Sequence, residues 1–513
     1  MVTANFPWLT VLVALPAAGA ALLGFVPPLR RAAGRVVALA IALVELALGV
    51  YAAATAFNWS APASYQLYES RTWIPQMGVT WSLGVTSLGL VMILLALALV
   101  PIVLVAGWDE NEDRGAYPAL VLALQAFMVL IFGAYDLVVF YVAFEAMLVP
   151  LYLMIGRYGV GDEAARHKAA MKFLLYSLFG GLVMLGGIIY LWAMGSQAAQ
   201  DVTTFFRIDT LAQILPNAPL VIQMIIFVTF MVAFAIKAPM VPVHTWLPDT
   251  AAVARPGTSV LLVGVLDKIG TFGMITMCLQ LTPGASAAAK WVMCVLAVIS
   301  ILWGGLSANG QNDIMRLVSY TSVSHFGFMV LGIFIGSQIA LVGAMFYMVA
   351  HGVSIAAMFL LSGWLSRRGG TQDMREYVGM QKVTPVLAGL WLMSGLASIA
   401  LPGLSGFVPE YLVLMGTWTV NGPLALFAVL GVVIAAMYIL MPYQRVFTGA
   451  PGKGKEELAD LGARERCVMT PLVIAMLVLG IWSAPLVSAL TPVASDLDLA
   501  TSQVPAAVEG SAQ

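Results

Sequence analysis

The stretch 223–249, QMIIFVTFMVAFAIKAPMVPVHTWLPD, is apolar enough to span a membrane, yet it interrupts its own helix halfway. Pro239 and Pro242 lack a backbone N–H and clash with the preceding turn, so a helix must kink or end there. In lipid such a break is tolerated only where protein or water satisfies the freed carbonyl groups. Lys237 stands beside the break, and an ammonium group at mid-membrane costs roughly 2.5 to 3.5 kcal/mol on insertion scales. A broken helix that carries a titratable group predicts a transport site inside a helix bundle.

The composition places this stretch in a polytopic membrane protein. Of 513 residues, 61% are hydrophobic and 10% are charged, and the mean hydropathy is +0.95, which no water-soluble fold of this size shows. A net charge of −1 gives no reason to expect a nucleic-acid partner. Cys278, Cys294 and Cys467 are far apart and form no C-x-x-C motif, so we expect neither an iron–sulfur or zinc site nor any other redox centre in this chain.

Apolar runs of about 20 residues predict an all-α fold with about fourteen transmembrane helices. The predicted spans are 8–26, 34–56, 84–106, 116–133, 135–156, 170–194, 219–250, 257–280, 288–308, 314–335, 338–364, 383–418, 422–447 and 467–489. With the N-terminus outside, nearly all lysines and arginines fall on the inner side, and the exceptions are Arg71, Arg207 and Lys290. Both termini are therefore expected on the outer side, with a disordered tail after Ala489.

A second interrupted span, 383–418, breaks at Pro402, Gly403, Gly406 and Pro409 and carries Glu410 where the first carries a lysine. Broken helices at positions seven and twelve predict two five-helix repeats, and because five is odd, consecutive repeats must be inverted in the membrane. The predicted division is residues 1–115 (helices 1–3), 116–280 (first repeat), 281–447 (second repeat) and 448–513 (inner loop, helix 14 and outer tail).

Six titratable residues lie inside the central spans and predict one hydrated row: Glu145, Lys237, Lys268, His325, His351 and Glu410. A Lys–Glu pair whose spacing changes can switch the protonation of the lysine near neutral pH, which arginine cannot do, and histidine can pass a proton between its two nitrogens. Each residue also has a structural explanation: Glu145 and Lys237 as a buried ion pair, and the histidines as helix-contact residues. Asp267 precedes Lys268 and points about 100° away from it on a helix.

Five blocks resemble the antiporter-like subunits of respiratory complex I, and most of all the NuoM type: FYVAFEAMLVPLYLMIGRYG, KAPMVPVHTWLPD, SVLLVGVLDKIGTFG, LVSYTSVSHFGFMVLG and ALPGLSGFVPE. The resemblance implies a fourteen-helix subunit in the membrane arm of a proton-pumping NADH:quinone oxidoreductase of the bacterial cytoplasmic membrane. It implies other antiporter-like subunits on both sides, the bilayer around it, and FMN, iron–sulfur clusters and quinone in partner subunits.

The resemblance also implies a role for each residue of the row. Glu145 and Lys237 would be the coupled pair at which protons arrive, Lys268, His325 and His351 the central relay, and Glu410 the terminal site, where a glutamate is typical of the NuoM type.

The sequence departs from the pattern of these subunits at several places. Ala251 and Val253 stand where a histidine and a glutamate are common, and Arg255 precedes Pro256. Asp267 replaces an apolar residue beside Lys268, Thr86 stands where an aspartate is frequent, and Pro409 replaces a small residue.

Two alternatives to the respiratory hypothesis remain at this point. A subunit of a multi-subunit sodium/proton antiporter would carry the same helices and the same row. A redox protein with His325 and His351 as axial haem ligands is geometrically conceivable.

Overall fold

The computed structural model describes residues 6–110, 116–195, 202–452 and 454–502. The predicted domain boundary at residue 115 and the end of the predicted tail lie outside these ranges. Within them, eleven helices are long and apolar enough to cross a membrane, or twelve if one bent pair counts as a single span. The chain is therefore a multi-pass membrane protein, as its composition predicts.

The described residues form 21 α-helices and one β-hairpin. The helices are α1 (Trp8–Phe25), α2 (Pro27–Thr55), α3 (Ser87–Ala106), α4 (Tyr117–Gly133), α5 (Leu137–Ala146), α6 (Leu148–Gly156), α7 (Glu163–Gly195), α8 (Ile208–Ile214), α9 (Leu220–Lys237), α10 (Trp246–Val253), α11 (Pro256–Leu261), α12 (Lys268–Gly273), α13 (Pro283–Asn309), α14 (Ile314–Phe334), α15 (Gln338–Gly369), α16 (Met380–Val383), α17 (Pro385–Ser398), α18 (Phe407–Val420), α19 (Gly422–Phe447), α20 (Ala463–Ile481) and α21 (Ala484–Ser502).

The prediction of an all-α fold was wrong in one respect. Strands β1 (Gln66–Ile74) and β2 (Val79–Val85) form an antiparallel hairpin, so the fold is predominantly rather than purely helical. Asp136 connects this hairpin to the bundle: one carboxylate oxygen accepts from the backbone N–H and the hydroxyl of Thr80, both at 2.9 Å, and the other caps α5 through Val138 N at 2.9 Å. A side-chain oxygen at an N-cap satisfies backbone donors that the first helical turn leaves free.

The helices differ sharply in how much neighbouring helices cover them. The most apolar 18-residue stretch of α15 is completely buried, and that of α14 is 94% buried. The corresponding stretches of α1 and α2 are only 28% and 33% buried. A helix buried on every side needs no polar face, which is why α15 carries apolar or small residues around most of its circumference. His325 and His351 lie on α14 and α15, and Lys268 and Glu410 lie on helices that pack against them.

Both predicted interruptions are present. Helix α9 ends at Lys237 and the chain resumes as α10 at Trp246, whose indole Nε1 donates to the carbonyl of Ile236 at 3.0 Å. Helix α17 ends at Ser398 and α18 begins at Phe407. Prolines in each gap supply no backbone donor, so the helical ladder cannot continue through them.

Two stretches of π-helix flank α12 and were not predicted. They cover Leu262–Leu266 and Met274–Leu279, and in the first of them Asp267 N donates to Leu262 O at 2.9 Å. A π-turn inserts one residue into the helical register and is frequent at functional sites. It therefore changes which side of the helix each following residue faces.

The last predicted span, 467–489, was wrong in its course. Helix α20 ends at Ile481, and α21 leaves it at an angle of 68°. The tail after Ala489 is not disordered over its first part, because α21 continues to Ser502 and Ser87 donates to the carbonyl of Ala489 at 2.6 Å. The burial of Leu490 and Ala494 explains why this segment is ordered.

Candidate functional site

Glu145 of α5 and Lys237 at the end of α9 are the first two residues of the predicted row. The Lys237 side chain is buried, and its Nζ lies 5.5 Å from the ring centre of Phe173 and has no hydrogen-bond partner within the part of the chain that the structure describes. Oε1 of Glu145 also has no hydrogen-bond partner. The two groups interact electrostatically, and no ion pair between them is present among the described residues.

Gly181 of α7 makes the room for the Glu145 carboxylate. A Cβ atom at Gly181 would stand 1.5 Å from Oε1 of Glu145, a distance that no side chain can tolerate. The absence of a side chain at this position therefore leaves the space in which the carboxylate lies.

Lys268 and His351 are in direct contact at the centre of the bundle. Lys268 Nζ lies 2.8 Å from His351 Nδ1 and donates to the carbonyl of Val263 at 2.5 Å. It also lies 5.4 Å from the ring centre of Phe326, a distance at which the aromatic face attracts a cation. Both side chains are fully enclosed. A lysine and a histidine at hydrogen-bond distance form a pair along which a proton can move without a change in packing.

His325 continues the row from His351. The two imidazole rings are 5.1 Å apart between centres, and His325 Nε2 lies 3.1 Å from the hydroxyl of Tyr438. The Tyr347 ring centre is 5.8 Å from that of His325. The histidines predicted as a relay are thus brought together by α14 and α15, with two tyrosines around them.

Glu410 closes the row in the first turn of α18. Tyr347 donates its hydroxyl to Glu410 Oε2 at 2.7 Å, and both side chains are buried. Tyr347 precedes His351 by one helical turn on α15, so both point to the same side of that helix. We call the set Glu145, Lys237, Lys268, His351, His325, Tyr438, Tyr347 and Glu410 the polar row.

Tyr347 and Tyr438 were missed by reasoning from the sequence. The spacing of four residues between Tyr347 and His351 could have revealed the first. Tyr438 lies on α19, which carries no other member of the polar row, and the sequence gives no sign that its hydroxyl reaches His325.

A cavity of about 770 Å³ opens at the end of the bundle where α3 ends and α11 begins, and we call it the Arg255 cavity. Its lining includes Glu110, Arg166, Arg255, Trp364 and Arg367. Arg255 forms an ion pair with Glu110 at 3.1 Å, and its guanidinium carbon lies 5.0 Å from the ring centre of Tyr117. Burial raises the pKa of the Glu110 carboxyl, and the Arg255 guanidinium draws that pKa back down. The arginine that departs from the expected pattern is thus built into the lining of this cavity.

A family model described as "NADH:quinone oxidoreductase/Mrp antiporter, TM" matches residues 134–435, which include every residue of the polar row except Tyr438. The chain belongs to this family. Its sequence is 41% identical to NADH-quinone oxidoreductase subunit M of Mycobacterium tuberculosis, over 95% of this chain and 93% of that protein. The resemblance to the NuoM type that the five sequence blocks carried is confirmed.

Solved structures of family members have the same fold. The chain is similar to one in respiratory complex I from Thermus thermophilus with bound NADH, with a TM-score of 0.85, 29% identity, and coverage of 96% of this chain and 99% of that one. A chain of the Mrp complex from Dietzia sp. matches with a TM-score of 0.84 at 21% identity, over 97% of this chain and 99% of that chain, which supports the shared fold alone.

Proposed function

We propose that the chain is a proton-translocating membrane-arm subunit of an NADH:quinone oxidoreductase. The observation that carries this function is the polar row, which is in close contact from Lys268 to Glu410 and has Lys237 at the first helix interruption and Glu410 just beyond the second. The similarity to subunit M over nearly the full length supports the respiratory assignment.

The proposed mechanism assigns each group one step. Quinone reduction elsewhere in the assembly changes the separation of Glu145 and Lys237, and this change switches Lys237 between its charged and neutral forms. The proton released there reaches Lys268, which lies 2.8 Å from His351. His351 and His325 carry it on to Glu410, where the Tyr347 hydroxyl holds the receiving carboxylate at 2.7 Å. Glu410 then releases the proton to the outer side.

The proposed membrane topology keeps fourteen spans and two inverted repeats. Besides the eleven long helices, the bent pair α20–α21, the shorter helix α4 and the interrupted pair α17–α18 would complete the predicted count. The division into residues 1–115, 116–280, 281–447 and 448–513 places one interruption in each repeat. Both termini would face the outer side of a bacterial cytoplasmic membrane, since the loops rich in arginine would face inward.

The proposed partners follow from this assignment. Antiporter-like subunits would flank the chain on both sides within the membrane arm, and lipid would cover the remaining faces. FMN, the iron–sulfur clusters and the quinone site would belong to partner subunits, and no redox cofactor is proposed in this chain. The haem alternative is not favoured, because the His325 and His351 rings are in edge contact, 5.1 Å apart between centres, and a haem held by both would have to lie between them.

The test is to isolate the native assembly through a tag on this chain and to measure NADH-driven quinone reduction together with proton uptake into vesicles. We expect flavin and iron–sulfur proteins to co-purify, and we expect Lys237→Ala to lose proton uptake. Lys290→Ala is the matched control, because Lys290 rests on the ring of Trp291 outside the row. Recovery with small membrane proteins alone, without NADH oxidation and with sodium-dependent pH gradients, would contradict the proposal and support the antiporter alternative.

A further inference from the structure

Asp267 is a fully buried carboxylate for which neither the sequence nor the mechanism above provides a role. Its exposed fraction is 0%, and neither of its carboxylate oxygens has a hydrogen-bond partner among the described residues. An ionised carboxylate in an apolar interior is costly unless it is paired or hydrated. An unpartnered carboxylate at this depth therefore points to charged neighbours or to water.

Two lysines surround it. Asp267 interacts electrostatically with Lys237, which is distant in the sequence, and with Lys268, which follows it directly. Lys237 interacts in turn with Glu145. Asp267 is thus an acidic group that interacts both with the lysine at the first helix interruption and with the lysine at the centre of the polar row.

The packing of α12 on α9 explains how Asp267 comes to lie there. Gly270 is in backbone contact with the end of α9: a Cβ atom at Gly270 would stand 2.6 Å from Phe234 O and 2.6 Å from Ala238 N. Asp267 precedes Gly270 by three residues, so it lies near the same side of the helix, the side that faces the end of α9. Lys237 is the last residue of α9.

Lys268 points to a different neighbour although it follows Asp267 directly. Successive residues on a helix point about 100° apart, and Lys268 Nζ reaches His351 of α15 at 2.8 Å. One helical turn therefore presents a carboxylate toward Lys237 and an ammonium group toward the histidines. The π-stretch Leu262–Leu266 immediately before it sets this register.

We propose that Asp267 carries the proton between Lys237 and Lys268, an inference that rests on the proposed translocation through the polar row. The Asp267 carboxylate accepts the proton that the Lys237 ammonium group releases, which leaves a neutral amine and a neutral carboxyl. The carboxyl O–H then protonates the neutral Lys268 amine, and the carboxylate is restored. In this proposal water bridges the remaining separation, since neither oxygen has a donor among the described residues.

A purely structural Asp267 would instead act as a fixed counter-ion for the two lysines. The two roles differ in what a carboxyl at this position must do, because a proton carrier is protonated during turnover and a counter-ion is not. Asp267→Asn keeps the shape and removes the proton-carrying group, whereas Asp267→Glu keeps that group on a longer stem.

The experiment measures protons taken up per NADH oxidised by the reconstituted assembly, over the whole pH range in which the assembly is stable. We expect Asp267→Asn to lower this ratio by about tenfold or more at every pH, as for loss of a positioned proton-transfer group, and Asp267→Glu to restore part of it. A fixed counter-ion would give an Asp267→Asn variant that regains the full ratio at a shifted pH, and that result would overturn the proposal.

Two further measurements complete the test. Infrared difference spectra of the working assembly should contain a carboxyl C=O band that Asp267→Asn removes, and spectra unchanged by this substitution would overturn the proposal. Asp373→Asn is the control for assembly, because Asp373 pairs with Arg375 in an exposed loop. Normal pumping by Asp267→Asn while Lys237→Ala abolishes pumping would refute this inference alone. Normal pumping by Lys237→Ala would refute the proposed function itself.

Discussion

The hydroxyl of Tyr347 donates a hydrogen bond of 2.7 Å to Oε2 of Glu410 and thereby connects the last carboxyl of the polar row to the helix that carries His351. Among the described residues, Tyr347 is the hydrogen-bond donor to the buried Glu410 carboxyl, and loss of this bond would leave that carboxyl unpaired. The contact joins α15 to α18, just beyond the second helix interruption. Proton release from Glu410 should therefore depend on a side chain that does not itself change charge.

Tyr347→Phe should lower the proton yield per NADH while the assembly remains intact. Loss of a hydrogen bond to a charged group costs about 1.5–3 kcal/mol. The substitution therefore changes the balance between the protonated and ionised forms of Glu410, and we expect pumping to fall several-fold at neutral pH. Tyr411→Phe on α18, the helix that carries Glu410, is the control, because the Tyr411 side chain is 51% exposed. Equal proton yields from the two variants would show that the Tyr347 hydroxyl is dispensable.

Gly181→Ala should impair pumping through Glu145 alone. The added methyl group would overlap Oε1 of Glu145, and because this atom ends a flexible side chain, the carboxylate can move while the backbone stays in place. We expect near-normal assembly with a reduced proton yield. Gly186→Ala on the same helix is the control, because no atom lies within 4 Å of the position of its Cβ. If both variants pump alike, the position of the Glu145 carboxylate is not important.

Gly270→Ala should destabilise the protein rather than alter its chemistry selectively. Here the added methyl group meets backbone atoms of α9, which cannot rotate away. Overpacking of this kind typically costs about 1–3 kcal/mol, and the yield and the thermal midpoint of the purified assembly should both fall. Gly389→Ala has no neighbour within 4 Å and should leave both unchanged. An unchanged midpoint for Gly270→Ala would mean that α9 and α12 are not in contact as described.

Asp249→Asn should loosen the segment that follows the first interruption. Asp249 of α10 forms ion pairs with Lys172 of α7 at 2.7 Å and with Arg316 of α14 at 2.6 Å. These groups are about one-third exposed, so solvent screening limits the two pairs together to on the order of 1 kcal/mol. We expect a small decrease in the thermal midpoint, larger than that of Glu456→Gln at an exposed loop position. A midpoint equal to that control would contradict a stabilising role for these pairs.

The sequence predicts those parts of the fold and of the site that depend on single residue types. Proline lacks the backbone donor that a helix interior needs, and both interruptions could be located where prolines stand beside glycines or a titratable residue, at Pro239, Pro242, Pro402 and Pro409, whereas Pro16 and Pro101 lie inside continuous helices. A charged residue inside an apolar run costs free energy on membrane insertion unless it faces the bundle interior. This reasoning identified Glu145, Lys237, Lys268, His325, His351 and Glu410, which the structure places in the polar row. Their roles in proton transfer stay a prediction.

Other features depend on contacts between distant residues, and for that reason the sequence did not predict them. The π-helical stretches around α12 differ from an α-helix by one residue in register. No pattern in the amino-acid composition is specific for that difference. Tyr438 joins the row only because α19 packs beside α14. Asp267 could be noticed as a departure from the family pattern, but its interaction with both Lys237 and Lys268 depends on the backbone contact at Gly270.

The β-hairpin and the final bend were missed for a related reason. Gln66–Val85 lies between two strong spans, and alternation over one short hairpin is a weak signal beside them. The turn between α20 and α21 interrupts an apolar run near Trp482, and hydropathy alone reads such a run as continuous.

The most direct measurement of the central claim is the number of protons taken up per NADH oxidised by vesicles that contain the assembly with Lys237→Arg. Arginine keeps the positive charge but does not release its proton in proteins, so electrostatic and structural roles of Lys237 survive while proton transfer through it does not. The account predicts that NADH oxidation by uncoupled vesicles persists and that the proton yield falls well below that of the wild-type assembly. A wild-type proton yield from Lys237→Arg would contradict it.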